Sequence, residues 1–393
     1  MASSINASTT AGVVTTADTS GVLNIQTAGT TAISIDASQA VSFTNSANLP
    51  NTFGFKNRII NGAMVIDQRN AGASVNPTDG QYCIDRWILF TSQASKYTAQ
   101  QNAGSVTPPA GFTNYLGITS SSAYSVTSSD YFVVEQKIEG FNVADLNWGS
   151  ANATAVTLSF WVRSSLTGTF GGVLKNSAGN RSYPFTYTIS AANTWEQKAI
   201  TIAGDTTGTW VTNNGTGIRL QFSLGAGSSL SGTAGAWAAA SYSSATGATS
   251  VVGTNGATFY ITGVQLEKGA TATSFDYRDY GRELIMCQRY YETSYDPGTA
   301  VGAAPSAISY PRWSTNGTAN AVEKWFRVTK RATPTVTVYD TSGTVGKIRI
   351  FDGVTDPANI TPTAILGLFN SMYVTYNATA SGIQFNYVAQ SEL

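Results

Sequence analysis

An all-β fold is what this sequence predicts, and three observations predict it. Only 11% of the 393 residues are charged, far below the roughly 25% of an ordinary soluble domain. Gly, Ser, Thr, Asn and Ala take the places that Lys and Glu usually hold, which disfavours long surface helices and suits short strands joined by turns. Apolar residues also recur at every second position in one stretch after another, with turn-formers between the stretches.

Residues 1–55 contain no Lys, Arg or Trp, and Lys56 is the first basic residue. Three short alternations stand out there: Leu23 and Ile25, Ile33 and Ile35, Val41 and Phe43. Gly29 and the Asp36–Gln39 stretch separate them, so each reads as a strand with one apolar face. Two apolar residues per strand bury too little to offset the ordering entropy of the segment. Self-association, as an intertwined homotrimer, is the expected solution; a disordered leader is the alternative.

From residue 57 to 280 strand follows strand. VTLSFWV (156–162) puts Val156, Leu158, Phe160 and Val162 on one face, a hairpin is expected around Lys175 to Asn180, and YPFTYTI (183–189) and TWEQKAITI (194–202) continue the pattern. In IRLQFSL (218–224), Ile218, Leu220, Phe222 and Leu224 alternate strictly after the Asn214-Gly215 turn. This spacing predicts a β-sandwich or jelly roll with one buried face per sheet. In TFYITGVQLEKG (258–269) the apolar parity switches between Ile261 and Val264, and Gly263 sits where a bulge would restore it.

The period then changes. In RDYGRELIMCQRYY (278–291), Tyr280, Leu284, Cys287 and Tyr291 fall on one helical stripe, with Asp279 as the expected N-cap. Residues 292–393 return to strands, at 335–339, 347–351, 372–376 and 382–388, and predict a smaller sandwich with Trp313 and Trp325 nearby. The expected organisation is a trimerising segment at 1–55, a jelly roll at 56–277, a linking helix at 278–291 and a C-terminal β-sandwich at 292–393.

The chemistry available is narrow. There is no histidine, which removes the usual general base, the usual metal ligand and every Ser-His-Asp or Cys-His arrangement. Cys83 and Cys287 are the only cysteines, too few for a disulfide scaffold and with no CxxC pair for zinc; both read as buried thiols. Lys plus Arg equals Asp plus Glu at 22 each, so nucleic acid and membrane insertion are not expected partners; a neutral, polar surface suits a neutral ligand such as a glycan, and equally suits only solvent and a symmetric partner. The N-terminus has neither the basic start nor the apolar run of a signal peptide. Nucleotide-binding and EF-hand loops are missing; no cofactor is expected, although scattered acids and carbonyls leave a structural calcium open.

One stretch combines unusual residues. NRIINGAMVIDQRNAGASV (57–75) and YCIDRW (82–87) resemble the opening of a domain that recurs in bacteriophage tail fibre and related virion adhesin proteins, of the form N-x-[IL]-[IL]-N-G-x-[MF], then Q-R, then D-R-W. The matching positions are Asn57, Ile59, Ile60, Asn61, Gly62, Met64, Gln68, Arg69, Asp85, Arg86 and Trp87. GVQLEKGATATSFDYRDYGRELIMCQRYY (263–291), with Gln288, Arg289 and Tyr290, is similar to the segment that closes that domain. Together the two motifs bracket about three fifths of the chain.

The resemblance implies a jelly roll like those of carbohydrate-binding modules, in which the early Asn-Gly strand lies near the terminal V-x-L strand. It also implies a homotrimeric virion tail protein, assembled in the host cytoplasm. Its N-terminus would attach to a tail or baseplate protein, and its outer domains would meet a host surface glycan. Read physically, Ile60, Met64 and Ile66 with Asn61-Gly62 make an edge or bulged strand, and Asp85 and Arg86 an internal ion pair beside Trp87. A scaffold role for the motif is expected; ligand contact by Arg69 or Arg86 is the alternative.

Two kinds of candidate site remain. Glycoside hydrolysis needs two carboxylates flanking one bond, and Glu135, Glu139, Glu267, Asp276 and Asp279 are the acids in or near strands, none with a pairing signature. Exposed aromatic planes match the C–H face of a sugar ring, which nominates Trp148, Trp210, Trp237 and Trp313, all in loop-like contexts. The expected function is therefore a non-catalytic phage tail fibre that attaches to the host surface. A capsid-decorating fibre or tail adaptor, and a carbohydrate-active depolymerase, are the alternatives; the last lacks the repeated rungs of a β-helix.

Overall fold

The computed structural model describes residues 2–7, 13–18, 20–27, 29–38, 41–43, 55–304, 320–351, 358–377 and 382–393. The chain divides into two compact units, Met1–Gly54 and Phe55–Leu393. The fold is all-β except for a single α-helix among the described residues.

The first unit is one five-stranded sheet of β1 (Ala2–Ala7), β2 (Val13–Asp18), β3 (Leu23–Thr27), β4 (Thr30–Ile35) and β5 (Val41–Phe43), in the order β2-β1-β3-β4-β5. Register places Leu23 opposite Ile35, Ile35 opposite Val41 and Ile25 opposite Ile33, which gathers the alternating apolar residues onto one face. Among the described residues Ile25 and Val41 on that face are exposed, and Leu23, Ile33 and Ile35 are half-buried. The two strands before residue 20 were not anticipated, because alternating Ala, Ser and Thr offer little apolar contrast.

The second unit is built on an antiparallel sandwich. Its six-stranded sheet comprises β6 (Gln81–Ile84), β7 (Trp87–Thr91), β10 (Tyr131–Glu139), β12 (Gly168–Asn176), β13 (Ser182–Ile189) and β15 (Thr216–Ala226), in the order β13-β12-β15-β10-β7-β6. The five-stranded sheet comprises β8 (Tyr97–Gln101), β9 (Leu116–Ser120), β11 (Val156–Ser164), β14 (Glu196–Ile202) and β18 (Thr258–Lys268), in the order β14-β11-β18-β9-β8. Between β15 and β18, the two-residue strands β16 (Ser231–Gly232) and β17 (Ser244–Ala245) pair with each other.

The alternation read from the sequence is what closes this sandwich. Phe160, Ile218, Leu220, Phe222, Leu224, Phe259, Ile261, Val264 and Leu266 all lie in one buried core, each such side chain contributing about 1.5–3 kcal/mol relative to exposure. The register of β11 on β18 shifts between Ser159 and Trp161, where Gly263 adopts φ 60° with Phe112 and Trp161 pressed against its Cα. The extra residue lets Ile261 and Val264 both face inward.

The six-stranded sheet departs from expectation, because part of its outer face is buried as well as its inner one. Glu135, Lys175, Gln221 and Ser223 are almost fully buried although they point away from the core. The 226–245 segment and the last residues of the chain lie along that outer face. Their backbone carbonyls meet it: Lys175 donates to the Tyr242 carbonyl at 3.5 Å and Lys137 to that of Leu393 at 2.6 Å.

The helix α1 runs Tyr280–Gln288, shorter than the stripe suggested, and the Asp279 carboxylate caps it by accepting from the Arg282 amide at 2.9 Å. Tyr280 is exposed, while Glu283, Cys287 and Gln288 are the buried positions. Of the predicted stripe, Cys287 and Tyr291 are buried and Leu284 packs against the same cluster; Glu283 also turns inward, to accept from the Asn61 amide and from Arg278. The helix lies inside the compact unit 55–393, packed on Ile60 and Ile66.

Beyond it come β19 (Tyr291–Thr293), β20 (Asn320–Trp325), β21 (Thr335–Tyr339), β22 (Ile348–Phe351), β23 (Ala358–Ile360), β24 (Ala364–Gly367), β25 (Ser371–Tyr376), β26 (Gly382–Gln384) and β27 (Asn386–Gln390). They form three three-stranded sheets around a second core that includes Val322, Val338, Ile348, Met372, Val374, Ile383 and Phe385. A dry Lys330–Glu292 pair at 2.6 Å ties this core to the strand after the helix.

Candidate functional site

The bracketing motifs come together, and they build a scaffold. Asn57 accepts from the Ile59 and Leu266 amides and donates to the Val264 carbonyl, so residues 57–62 run beside the V-x-L segment of β18. Gly62 approaches so closely that a Cβ there would lie 2.2 Å from the Val264 carbonyl oxygen. Asn61, in a left-handed conformation at φ 58°, bonds to Ile66 and to the Asp85 carbonyl, and its own carbonyl accepts from the Trp87 indole at 3.0 Å. The stretch is therefore a tightly bonded irregular loop; the expected edge strand does not form, since Asn61 and Met64 both take positive φ.

Asp85 and Arg86 are not partners. Neighbouring residues diverge here: the Asp85 carboxylate accepts from the Gln68 amide and side chain, both at 2.7 Å, and Arg86 pairs with Glu392. Burial pushes the Asp85 carboxyl up to about 6, with Arg69 and Gln68 pulling it back. Arg69 holds the other oxygen of Glu392 and stacks between Tyr82 and Tyr291 at 4.4 and 3.8 Å, and Arg86 stacks on Tyr290 at 3.6 Å. Arg289 and Tyr290 hold Glu139 at 2.6–3.0 Å, which keeps that carboxyl below the usual range despite its burial. Gln288 reaches Gln68 at 3.5 Å. Every motif arginine is thus committed to the protein's own groups.

The nominated tryptophans also meet. Trp148, Trp210 and Trp237 form an edge-to-face triad with ring centroids 4.7–5.4 Å apart, and each indole N–H donates to a backbone carbonyl. Trp148 and Trp210 are buried and edge a pocket of about 230 Å³ with Asn147, Ser150 and Thr212. A stacking platform needs an open ring face, and these faces cover one another. Trp313 lies outside the described residues.

Each nominated acid is tied down separately. Glu135 accepts from Arg219 through both oxygens and from Gln221. Glu267 accepts from Thr273 and Gln265, Asp276 lies 3.7 Å from Arg278, and Asp279 caps the helix. Among the described residues no three Cys, Asp or Glu side chains cluster as metal ligands do, and no helix is long and apolar enough to cross a membrane.

The surface best shaped for a ligand is one the sequence reading did not nominate. On the outer face of the six-stranded sheet, Phe90 and Tyr131, both half-buried, flank a cleft of about 390 Å³ whose floor carries Lys175, Arg219 and Gln221, and whose rim carries Asp79, Ser241 and Ser243. Beyond Phe90 it meets a wider hollow of about 620 Å³ lined by Tyr82, Lys137, Arg331 and Thr335. Two aromatic rings amid hydroxyl, amide and charged groups are the combination that a sugar ring requires.

One group on this floor lacks a partner. Gln221 is 2% exposed; its amide N–H donates to Glu135, and its carbonyl oxygen accepts nothing. A buried acceptor left unpaired costs about 1–3 kcal/mol. The available signal was faint: Lys137, Lys175, Arg219 and Gln221 are the polar members of alternating strands, and sequence alone places such residues in solvent.

No family model matches this chain, and no curated protein does. Among solved structures, the enzymatically active domain of bacteriophage CBA120 tailspike protein 4 shares 14% identity at a TM-score of 0.29, over 54% of this chain and 21% of that one. This chain therefore spans about a fifth of that tailspike's length. A sugar-binding protein of Bacteroides thetaiotaomicron, itself assigned only provisionally, shares 14% identity at 0.30, over 54% of this chain and 100% of that one. A family 11 carbohydrate-binding module from Clostridium thermocellum, in complex with a mixed-linked tetrasaccharide, shares 12% at 0.25, over 50% and 96%. These TM-scores all lie below 0.5.

Proposed function

We propose that this chain is a non-catalytic, self-associating subunit of a bacteriophage tail fibre whose sandwich binds a glycan on the host surface. The observation that carries glycan recognition is the Phe90–Tyr131 cleft, which Lys175, Arg219 and Gln221 also line. The virion assignment is supported by the paired N-G…Q-R…D-R-W and V-x-L…Q-R-Y-Y motifs, which the fold brings into one bonded network. The non-catalytic reading is supported by the lack of histidine and by acids that are each engaged by their own partner. Self-association is supported by the partly exposed apolar face of the first unit.

The test is a glycan array probed with the purified chain, alongside Phe90→Ala and Tyr131→Ala variants. Retention of a defined set of glycans by the parent, and its loss in both variants at unchanged thermal stability, is the expected result. Antibody labelling of purified particles would separate tail from capsid: decoration away from the tail would overturn the fibre assignment. Release of oligosaccharide from host glycans would overturn the non-catalytic one.

A further inference from the structure

Register on the outer face of the six-stranded sheet sets three cations side by side. Lys175 of β12 lies directly opposite Arg219 of β15, and Arg219 directly opposite Lys137 of β10. Like charges in direct cross-strand register repel, and these stand on a floor that is largely dry, with Lys175 only 4% exposed.

The carboxylates nearby neutralise the row in part: Arg219 pairs with Glu135 at 2.7 Å. Glu135 is taken by Arg219 and Gln221. Asp79, on the rim, accepts from the Thr91 amide at 2.9 Å and the Tyr131 hydroxyl at 3.2 Å. Lys137 reaches the Leu393 carbonyl. Lys175 has a single long bond, 3.5 Å to the Tyr242 carbonyl, and no carboxylate within ion-pair distance among the described residues. A buried ammonium without a counter-charge is costly unless an anion arrives to pair with it.

We infer that the cleft takes an oligosaccharide bearing an anionic substituent, seated on the Lys175–Arg219–Lys137 row. This rests on the cleft being the glycan site and adds the class of glycan. The substituent can be a carboxylate, as in a uronic or sialic acid, or a phosphate ester; both present the oxygens that ammonium and guanidinium groups bind. Phe90 and Tyr131 then cover the C–H face of the same or the next sugar ring.

The experiment uses the full chain on an array carrying matched neutral, uronic-acid, sialic-acid and phosphorylated oligosaccharides, with Lys175→Met and Lys175→Arg variants and thermal melts as folding controls. Acidic glycans should be retained over neutral ones, and the acidic class that binds identifies the substituent. Lys175→Met should lose roughly 10- to 100-fold in affinity for it, the loss corresponding to one charge-assisted hydrogen bond, and Lys175→Arg should keep much of it. Binding should also weaken with added salt. Retention of neutral glycans alone, lost on Phe90→Ala, would overturn the inference and leave the cleft as a glycan site. Glycan binding that is indifferent to both Phe90→Ala and Lys175→Met, or no binding at all, would overturn both.

Discussion

Arg86 and Glu392 form an ion pair across 306 positions of sequence, with 2% and 5% of their side chains exposed. Arg69 holds the second oxygen of the same carboxylate, so two of the three arginines of the opening motif clamp the strand end that follows β27. Burial opposes the Arg86 charge, and Glu392 beside it more than restores it, holding the guanidinium above its ordinary pKa. Removing the carboxylate leaves two buried cations unpaired.

Glu392→Ala should therefore cost about 3–5 kcal/mol, read as a lower midpoint in denaturant. Arg86→Lys should fail to restore stability, because an ammonium cannot both stack on Tyr290 and reach the Lys137 carbonyl, to which Arg86 donates at 2.6 Å. A Glu392→Ala protein as stable as the parent would show that the clamp contributes nothing.

Gly62→Ala should destabilise by about 3 kcal/mol, since the added methyl meets backbone that cannot turn aside. Thermal melts report it directly. An unchanged melting temperature would mean that residues 57–62 do not lie against β18.

Lys175 should show a trade between stability and binding. Burial, with Arg219 adding to it, pulls its ammonium down to about 8, and Glu135 opposes both. The folded chain then releases a proton that the unfolded chain keeps between about pH 8 and the ordinary 10.5. The parent's stability rises with pH through that window, and the cost of the buried charge is fully present below it. Lys175→Met should be more stable than the parent at pH 7, by on the order of 2–3 kcal/mol, and the gap should close as pH approaches 10.5. A parent at least as stable at pH 7 would contradict this.

The tryptophan triad should behave as core. Trp148→Ala is expected to cost about 3–5 kcal/mol while leaving any glycan affinity at the Phe90 cleft unchanged in protein that remains folded. Loss of binding with no loss of stability would return Trp148 to the list of ligand contacts.

Deleting residues 1–54 should turn an associated species into a monomer, measured by light scattering, because among the described residues the face of Leu23, Ile25, Ile33, Ile35 and Val41 leaves Ile25 and Val41 exposed and the other three half-buried. An intact chain that is already monomeric would refute self-association.

By itself, the sequence determined what depends on neighbours along the chain. Alternation with period two assigned the inward residues of β11, β15 and β18, the parity switch located the bulge at Gly263, and Asp279 announced the helix start. These are local consequences of pleat, bulge and cap geometry.

Tertiary structure decided everything that depends on which strands lie side by side. It sent Arg86 to Glu392 instead of Asp85, turned three scattered tryptophans into one packed triad, and aligned Lys137, Arg219 and Lys175 on a face that composition would have left in water. The fold joins residues as far as 323 positions apart, as in Arg69 and Glu392, and no periodicity within a single strand records the identity of its partner.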